Sequence, residues 1–385
     1  MAADATGGGE AGSGRPERIE PRTPDDRTPD EAPARRYRGR MTSERAEGVD
    51  TVLLAAPRGF CAGVEMAIKA LAWLVRAFEP PVYCYHEIVH NQRVVERFRD
   101  LGVVFVDEIA DVPPGRAVML SAHGSAPEVV AAATAAGGYV VDAVCPLVTK
   151  VHHEVKVRAR SGFRIIYVGH EGHEEAVGTM AVAPDAIWRV ENPSDVAALP
   201  ETAQPTALLA QTTLSHRDWA DVLEAATERY PGLWQPGRSD LCFATTNRQA
   251  ALERIAPDAD AMIVIGSANS SNTNALARLA AESGCPRVFR INDAAELPAD
   301  LCGTVGVTAG ASAPEELIEA VIAHLAPRNG VIEVRVTDED EYFPPPRQLR
   351  DLIAALDRFV TLGVGGSSDR QPATDDRSLA ASEVL

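Results

Sequence analysis

The sequence predicts an α/β fold built on mostly parallel sheets, and two observations carry that reading. Short apolar, β-rich runs bounded by glycine alternate along the chain with longer amphipathic runs. That is the signature of strand–helix units whose strands are covered on both faces. The residues just past the apolar runs are also chemically unusual, and parallel sheets bind ligands at those exits.

The elements follow in order. TVLLAA (51–56) reads as a strand and AGVEMAIKALAWLVRAF (62–78) as a helix with an apolar stripe. PVYCYHEI (81–88) precedes the helical NQRVVERFRDLG (91–102), which stops at a glycine. AVMLSAHG (117–124) precedes APEVVAAATAAG (126–137), and YVVDAVC (139–145) follows. RIIYVGHEGH (164–173), TALLAQTT (206–213), AMIVIGSANSSN (261–272), RVFRIN (287–292) and TVGVTAGAS (304–312) supply further strands. Their exits carry Cys61, His90, His123, Cys145, His170, His173, Thr212, Ser270 to Asn272 and Ser312. Polar groups at so many exits are hard to explain as packing.

Length and composition set the frame. A chain of 385 residues has room for two or three domains. We expect a disordered leader over 1–49, rich in Gly, Pro, Arg and Asp, and Met41 is a candidate later start. Three α/β domains are expected over 50–145, 146–242 and 243–349, with the first strand (50–62) free to pack with the third. A terminal helix and flexible tail occupy 350–385. The net charge of −18 argues against nucleic-acid or membrane-surface binding. No apolar run is long enough to span a bilayer, and no signal segment opens the chain, so the cytoplasm is the expected location.

Six cysteines without a C-x-x-C pair fit neither a disulfide scaffold nor a zinc ribbon. Cys84, Cys285 and Cys302 read as small buried hydrophobes. Cys61, Cys145 and Cys242 differ: each sits in a polar or Gly/Pro-containing junction before a helical run, 84 and 97 residues apart. Each spacing accommodates one small α/β unit, so three units would bring three thiols to one point. A helix N-terminus after each is expected to lower its pKa. Three thiolates suit a soft metal or an iron–sulfur cluster, with one iron left open for substrate.

VGHEGHEEAVGT (168–179) adds His170, His173, Glu174 and Glu175; SANSSNTN (267–274) and TAGASAPE (308–315) add hydroxyl and amide donors at helix starts. Such turns cap helices and also cradle phosphate. No Walker or G-x-G-x-x-G motif accompanies them, so ordinary nucleotide binding is unsupported.

Taken together, PRGFCAGV, VHN, SAHG, DAVCPLVTKVH, GHEGHEEAVGT, QTTLS, CFATTNRQ, GSANSSNTN and TAGASAPE resemble, in order, the 4-hydroxy-3-methylbut-2-enyl diphosphate reductase family. The resemblance runs from about 51 to 349 and includes YFPPPRQL (342–349), which looks like that family's closing strand. It implies three α/β domains around a central [4Fe-4S] cluster held by Cys61, Cys145 and Cys242, with one open iron. It implies diphosphate contacts at His90, His123, Ser270, Ser271, Asn272 and Ser312, with His173 lining the same cavity. It implies that Glu175 delivers a proton and that Thr212 is its hydroxyl partner. The activity implied is reductive removal of an allylic hydroxyl, giving isopentenyl and dimethylallyl diphosphates. That is the last step of the methylerythritol phosphate route to isoprenoids.

Electrons would come from ferredoxin or flavodoxin, with KVRAR (156–160) as a docking patch. Departures from the family pattern are Val144, Phe243 and the direct run from GTMAVAP into IWRV (178–190); the last could alter the wall near Glu175. Competing readings are an iron–sulfur hydratase-dehydratase and a redox sensor. A sensor has no need of Glu175, Thr212 and an anion cradle together.

Overall fold

The computed structural model describes residues 48–364 and Ala381. The expected leader lies outside the described residues apart from Gly48 and Val49, as does the tail beyond 364 apart from Ala381. The strands are β1 (Val49–Ala56), β2 (Val82–Tyr85), β3 (Val103–Val106), β4 (Val118–Leu120), β5 (Val140–Asp142), β6 (Arg164–Val168), β7 (Ile187–Val190), β8 (Thr206–Ala210), β9 (Ala261–Ile265), β10 (Val288–Ile291), β11 (Gly303–Ala309) and β12 (Val331–Arg335). The helices are α1 (Ala62–Ala77), α2 (Gln92–Asp100), α3 (Pro127–Ala135), α4 (Pro146–Arg160), α5 (Glu174–Ala181), α6 (Pro193–Ala198), α7 (His216–Arg229), α8 (Phe243–Ile255), α9 (Ser271–Glu282), α10 (Glu315–Leu325) and α11 (Arg347–Val364).

The strands form three sheets, ordered β3-β2-β4-β5, β7-β6-β8 and β10-β9-β11-β1-β12. Every ladder among them is parallel, as the continuous apolar runs require. β8 and β9 are buried at every residue, because helices cover both faces.

β1 pairs with β11 and β12, not with the strands that follow it in sequence. Val52 and Leu54 enter one core cluster and Leu53 and Ala55 the opposite one; a strand apolar on both faces belongs in the middle of a sheet. α1 then leaves that sheet, and its Ala67, Ile68, Leu71 and Leu74 pack into the core beside β2 and β4. At the other end α11 returns to the same core through Leu349 and Ile353, and Tyr139 Oη donates to the Gln348 carbonyl at 2.5 Å. The first strand and the last helix thus stitch two sheets together.

The closing strand is β12, and YFPPPRQL is not a strand: 342–346 is irregular and Arg347 opens α11. Three successive prolines have no N–H to give a ladder, and a proline run also ends naturally at a helix start.

The 58–60 turn, α8 and the 336–343 segment meet at Arg248, whose side chain is fully buried. Its Nε donates to the Gly59 carbonyl at 3.1 Å, Nη2 to Gly59, Phe60 and Arg58 carbonyls at 2.7, 3.2 and 3.4 Å, and Nη1 to the Ala244 carbonyl at 2.9 Å. Nη1 also lies 3.0 Å from both oxygens of Glu339. Replacing Arg248 by Met leaves Glu339 and these carbonyls without their partner. Unfolding free energy measured in denaturant should fall by about 3–5 kcal/mol, and Glu339→Gln, which keeps an acceptor, should cost less.

Candidate active site

Cys61, Cys145 and Cys242 are the N-cap residues of α1, α4 and α8. Each backbone N–H is tied to a strand exit of a different sheet. Cys61 N donates to the Ala311 carbonyl past β11, Cys145 N to Ala122 past β4, and Cys242 N to Thr212 past β8, at 3.0–3.1 Å. Three sheets thus deliver three thiols to one cavity. Gly63 shows how close they come: a Cβ there would sit 2.8 Å from Cys145 Sγ and 3.9 Å from Cys61 Sγ.

The expected lowering of the thiol pKa is not found at Cys145 or Cys242. Burial, reinforced by the other thiols, pushes Cys145 well above the ordinary thiol range and Cys242 to about 11. The helix N-termini do act, as Thr245 N donates to Cys242 Sγ at 3.2 Å, but this is worth only ~0.3–1 kcal/mol and burial outweighs it. Converging half-buried thiols suit a cation placed among them, and a bound metal deprotonates its thiols outright. The donor set therefore fits a soft metal group.

Glu175, in the first turn of α5, is 2% exposed. Its carboxyl accepts the Thr212 N–H at 2.7 Å and the Thr212 hydroxyl at 2.9 Å. Burial pushes its pKa up to about 7 despite these bonds, with Asp240 adding to the rise. Glu175 therefore holds or releases a proton near neutral pH, as a general acid must. His173, the N-cap of α5, accepts the Glu175 N–H on Nδ1 at 3.2 Å. Burial and the charges of His123 and His90 hold it down to about 3, so it is neutral.

The histidine rings cluster. His90 and His123 stack at 3.9 Å with planes 11° apart, and His173 meets His90 edge-on at 5.3 Å. Burial, with His123 next to it, holds His90 below its ordinary value, and its Nε2 is buried without a partner. Asn272 is 3% exposed, and both its side-chain O and N lack partners. Buried amides are nearly always satisfied, so this pair points to a ligand.

The neighbouring hydroxyls are more engaged. Ser270 Oγ caps α9 by accepting Thr273 N, Ser312 Oγ donates to the His90 carbonyl at 2.9 Å, and Ser271 Oγ accepts Gln211 Nε2 at 3.2 Å. Ser270, Ser271 and Ser312 border the same cavity as Asn272, the histidines and the three thiols.

His90, His123 and Glu174 also have the composition of a metal site, with ligand atoms within 4.8 Å of one another. Nearly parallel stacked rings set their edges side by side, however, which suits two N–H donors on one anion. His170 turns away to Glu191 at 3.6 Å. The segment after Met180 does not line the cavity; Met180, Val182 and Ala183 pack under the small sheet. Phe243 lines the cavity with Phe343, ring centroids 6.4 Å apart.

Sequence reasoning missed Gln211, Arg248 and Glu339, and named Glu174 without giving it a role. Gln211 bridges two lobes: its Oε1 accepts His170 N at 3.0 Å and its Nε2 donates to Ser271. Gln211, Glu174 and Arg248 lie inside motifs already singled out, but nothing in a motif says which neighbour faces inward.

A family model described as LytB protein matches residues 52–326. The 4-hydroxy-3-methylbut-2-enyl diphosphate reductase of Rhodopirellula baltica is 47% identical over 309 residues, covering 79% of this chain and 97% of that protein. Among solved structures, the E-1-hydroxy-2-methyl-but-2-enyl-4-diphosphate reductase from Plasmodium falciparum aligns with a TM-score of 0.77 at 31% identity, over 80% of this chain and 99% of that one. A structure of (E)-4-hydroxy-3-methyl-but-2-enyl diphosphate reductase, described as the terminal enzyme of the non-mevalonate pathway, aligns with a TM-score of 0.54 at 30% identity, over 72% and 99%. The family model spans well over half the sequence and the relatives are matched nearly end to end; the chain belongs to the LytB family.

Proposed function

We propose that this chain reduces 4-hydroxy-3-methylbut-2-enyl diphosphate to isopentenyl and dimethylallyl diphosphates, the terminal step of the non-mevalonate route to isoprenoids. One observation carries the reading: three thiols from three sheets border the same cavity as a buried carboxyl, whose pKa burial raises, and an unpartnered amide. Relatives that bear this activity in their names support it. Cys61, Cys145 and Cys242 would hold a [4Fe-4S] cluster. When bound, that cluster supplies electrons one at a time and an iron with a free position for the substrate.

The reaction consumes two electrons and two protons: the allylic C–O bond breaks, a C–H bond forms and water leaves. Glu175 gives the hydroxyl its proton, and Thr212 holds both carboxyl oxygens so that the O–H faces the cavity. Asn272, His90 and His123 take the diphosphate, with Ser270, Ser271 and Ser312 shaping the turns around it. Neutral donors and histidines suffice because helix N-termini favour anions. His173, fixed by the Glu175 N–H, borders the carbon skeleton.

Ferredoxin or flavodoxin is the proposed electron source. In KVRAR, Arg158 lies 3.8 Å over the Trp234 ring, and Lys156 and Arg160 remain exposed for docking. The cytoplasm is the proposed setting, where the six cysteines, all free, stay reduced. No helix among the described residues is long and apolar enough to cross a membrane.

The reading is tested by anaerobic turnover with a one-electron reductant. Product should form only with reductant present, at two electrons per diphosphate. Loss of water without reductant, giving a diene diphosphate in place of these products, would instead identify the hydratase-dehydratase. Glu175→Gln should still bind the diphosphate while kcat falls by about 10²-fold or more. Because the protonated acid is the active form and its pKa is about 7, wild-type kcat at saturating diphosphate should decline as pH rises through neutrality. That decline should vanish in the variant.

A further inference from the structure

Glu174 precedes the proposed acid, yet its side chain crosses to another lobe. Its Oε2 lies 2.7 Å from His123 Nδ1 and its Oε1 3.0 Å from His86 Nδ1. The crossing depends on a close approach: Gly178 lets α5 lie against the Gly124 carbonyl, where any Cβ would collide. Ser121 Oγ adds a long contact at 3.5 Å. An ionised carboxylate at the edge of an anion site repels the anion unless something neutralises it.

The hydrogen-bond geometry names what does. His86 has Glu174 at Nδ1 and the Asp107 carbonyl oxygen at Nε2, 3.2 Å away. Both partners only accept, so both ring nitrogens carry protons and His86 is an imidazolium. It holds this position with a left-handed backbone, φ 59°, which a non-glycine residue rarely adopts. His123 gives its Nδ1–H to the same carboxylate, leaving only Nε2 to meet a ligand. With both rings protonated, two positive charges face one negative, and the trio carries a net positive charge beside Asn272.

We propose that Glu174 is a positioning residue of the diphosphate site: its carboxylate pins the Nδ1–H of His123 and His86 and favours their doubly protonated rings, so that His123 Nε2 meets the diphosphate as a donor. The proposal rests on the diphosphate reading above. It explains how a chain of net charge −18 presents positive charge to an anion without lysine or arginine in the cradle. The other groups facing these rings are His90, stacked on His123, His173 at 6.1 Å edge-on, Glu87 at 3.6 Å from His90, and Tyr85 at 4.1 Å from His86.

The test is calorimetric binding of dimethylallyl diphosphate and of the free alcohol to anaerobic holoprotein between about pH 6 and 9. Wild type, Glu174→Gln and Glu174→Asp are compared. Wild type should bind the diphosphate more weakly as pH rises, with proton uptake on binding. In Glu174→Gln, affinity near neutrality should fall about tenfold and the whole pH profile move about one unit toward acid. The aspartate variant should recover part of both effects, and alcohol affinity should not follow them. An unchanged pH profile in Glu174→Gln overturns the proposal and leaves a structural contact. Binding that requires an added divalent cation and is lost with chelator also overturns it, in favour of a metal site. If wild type binds alcohol and diphosphate equally, the diphosphate reading itself fails.

Discussion

The site depends on one buried guanidinium. Arg248 ties the carbonyls of residues 58–60 to α8 and to Glu339. Those carbonyls immediately precede Cys61, and Cys242 caps the helix that carries Arg248. A buried charge of this kind is tolerable only when its donors are met and its countercharge lies alongside, and here both conditions hold. Through Glu339 the same contact holds the segment bearing Phe343, which closes the cavity beside Phe243. Two of the three thiols and one wall are thereby fixed by a single side chain.

Within that frame burial acts on five of the groups that line the cavity in the same sense, against charge. It pushes the Glu175 carboxyl and the Cys145 and Cys242 thiols up, and His90 and His173 down. The consequences differ by residue: a carboxyl that keeps its proton can donate it, and thiols that resist ionisation await a cation. Glu174 is the exception. Burial opposes its charge too, yet the hydrogen bonds from His123 and His86 hold its carboxyl well below the usual carboxylate range. Adjacent glutamates at the start of α5 are therefore shifted in opposite directions, one turned to Thr212 and one to the histidines.

Much of this was legible in the sequence. Parallel strands announce themselves as continuous apolar runs; the strand-exit rule led to Cys61, Cys145, His90, His123 and Asn272, and junction context and spacing led to Cys242, all of which share one cavity. Local pattern left β1 free to join the first or the third unit, because an apolar run does not name its neighbours, and β1 joins the third. It misread 342–349, where order in the motif series suggested a strand and three prolines forbid one. It could not separate Glu174 from Glu175, whose difference lies in what crosses from another lobe. Arg248 looked like one polar position in a helix, and its partners lie 91 and 189 residues away. The thiols were misjudged because helix-terminus fields are a local property and burial is not.

The central claim is that three cysteines hold a four-iron group with one position left for substrate. Mössbauer spectroscopy of anaerobically prepared, ⁵⁷Fe-enriched protein tests it most directly. The account predicts four irons per chain, with one distinct from the other three and that one alone perturbed by the diphosphate. Four equivalent irons indifferent to the diphosphate, or the same spectrum in Cys145→Ser, would contradict it.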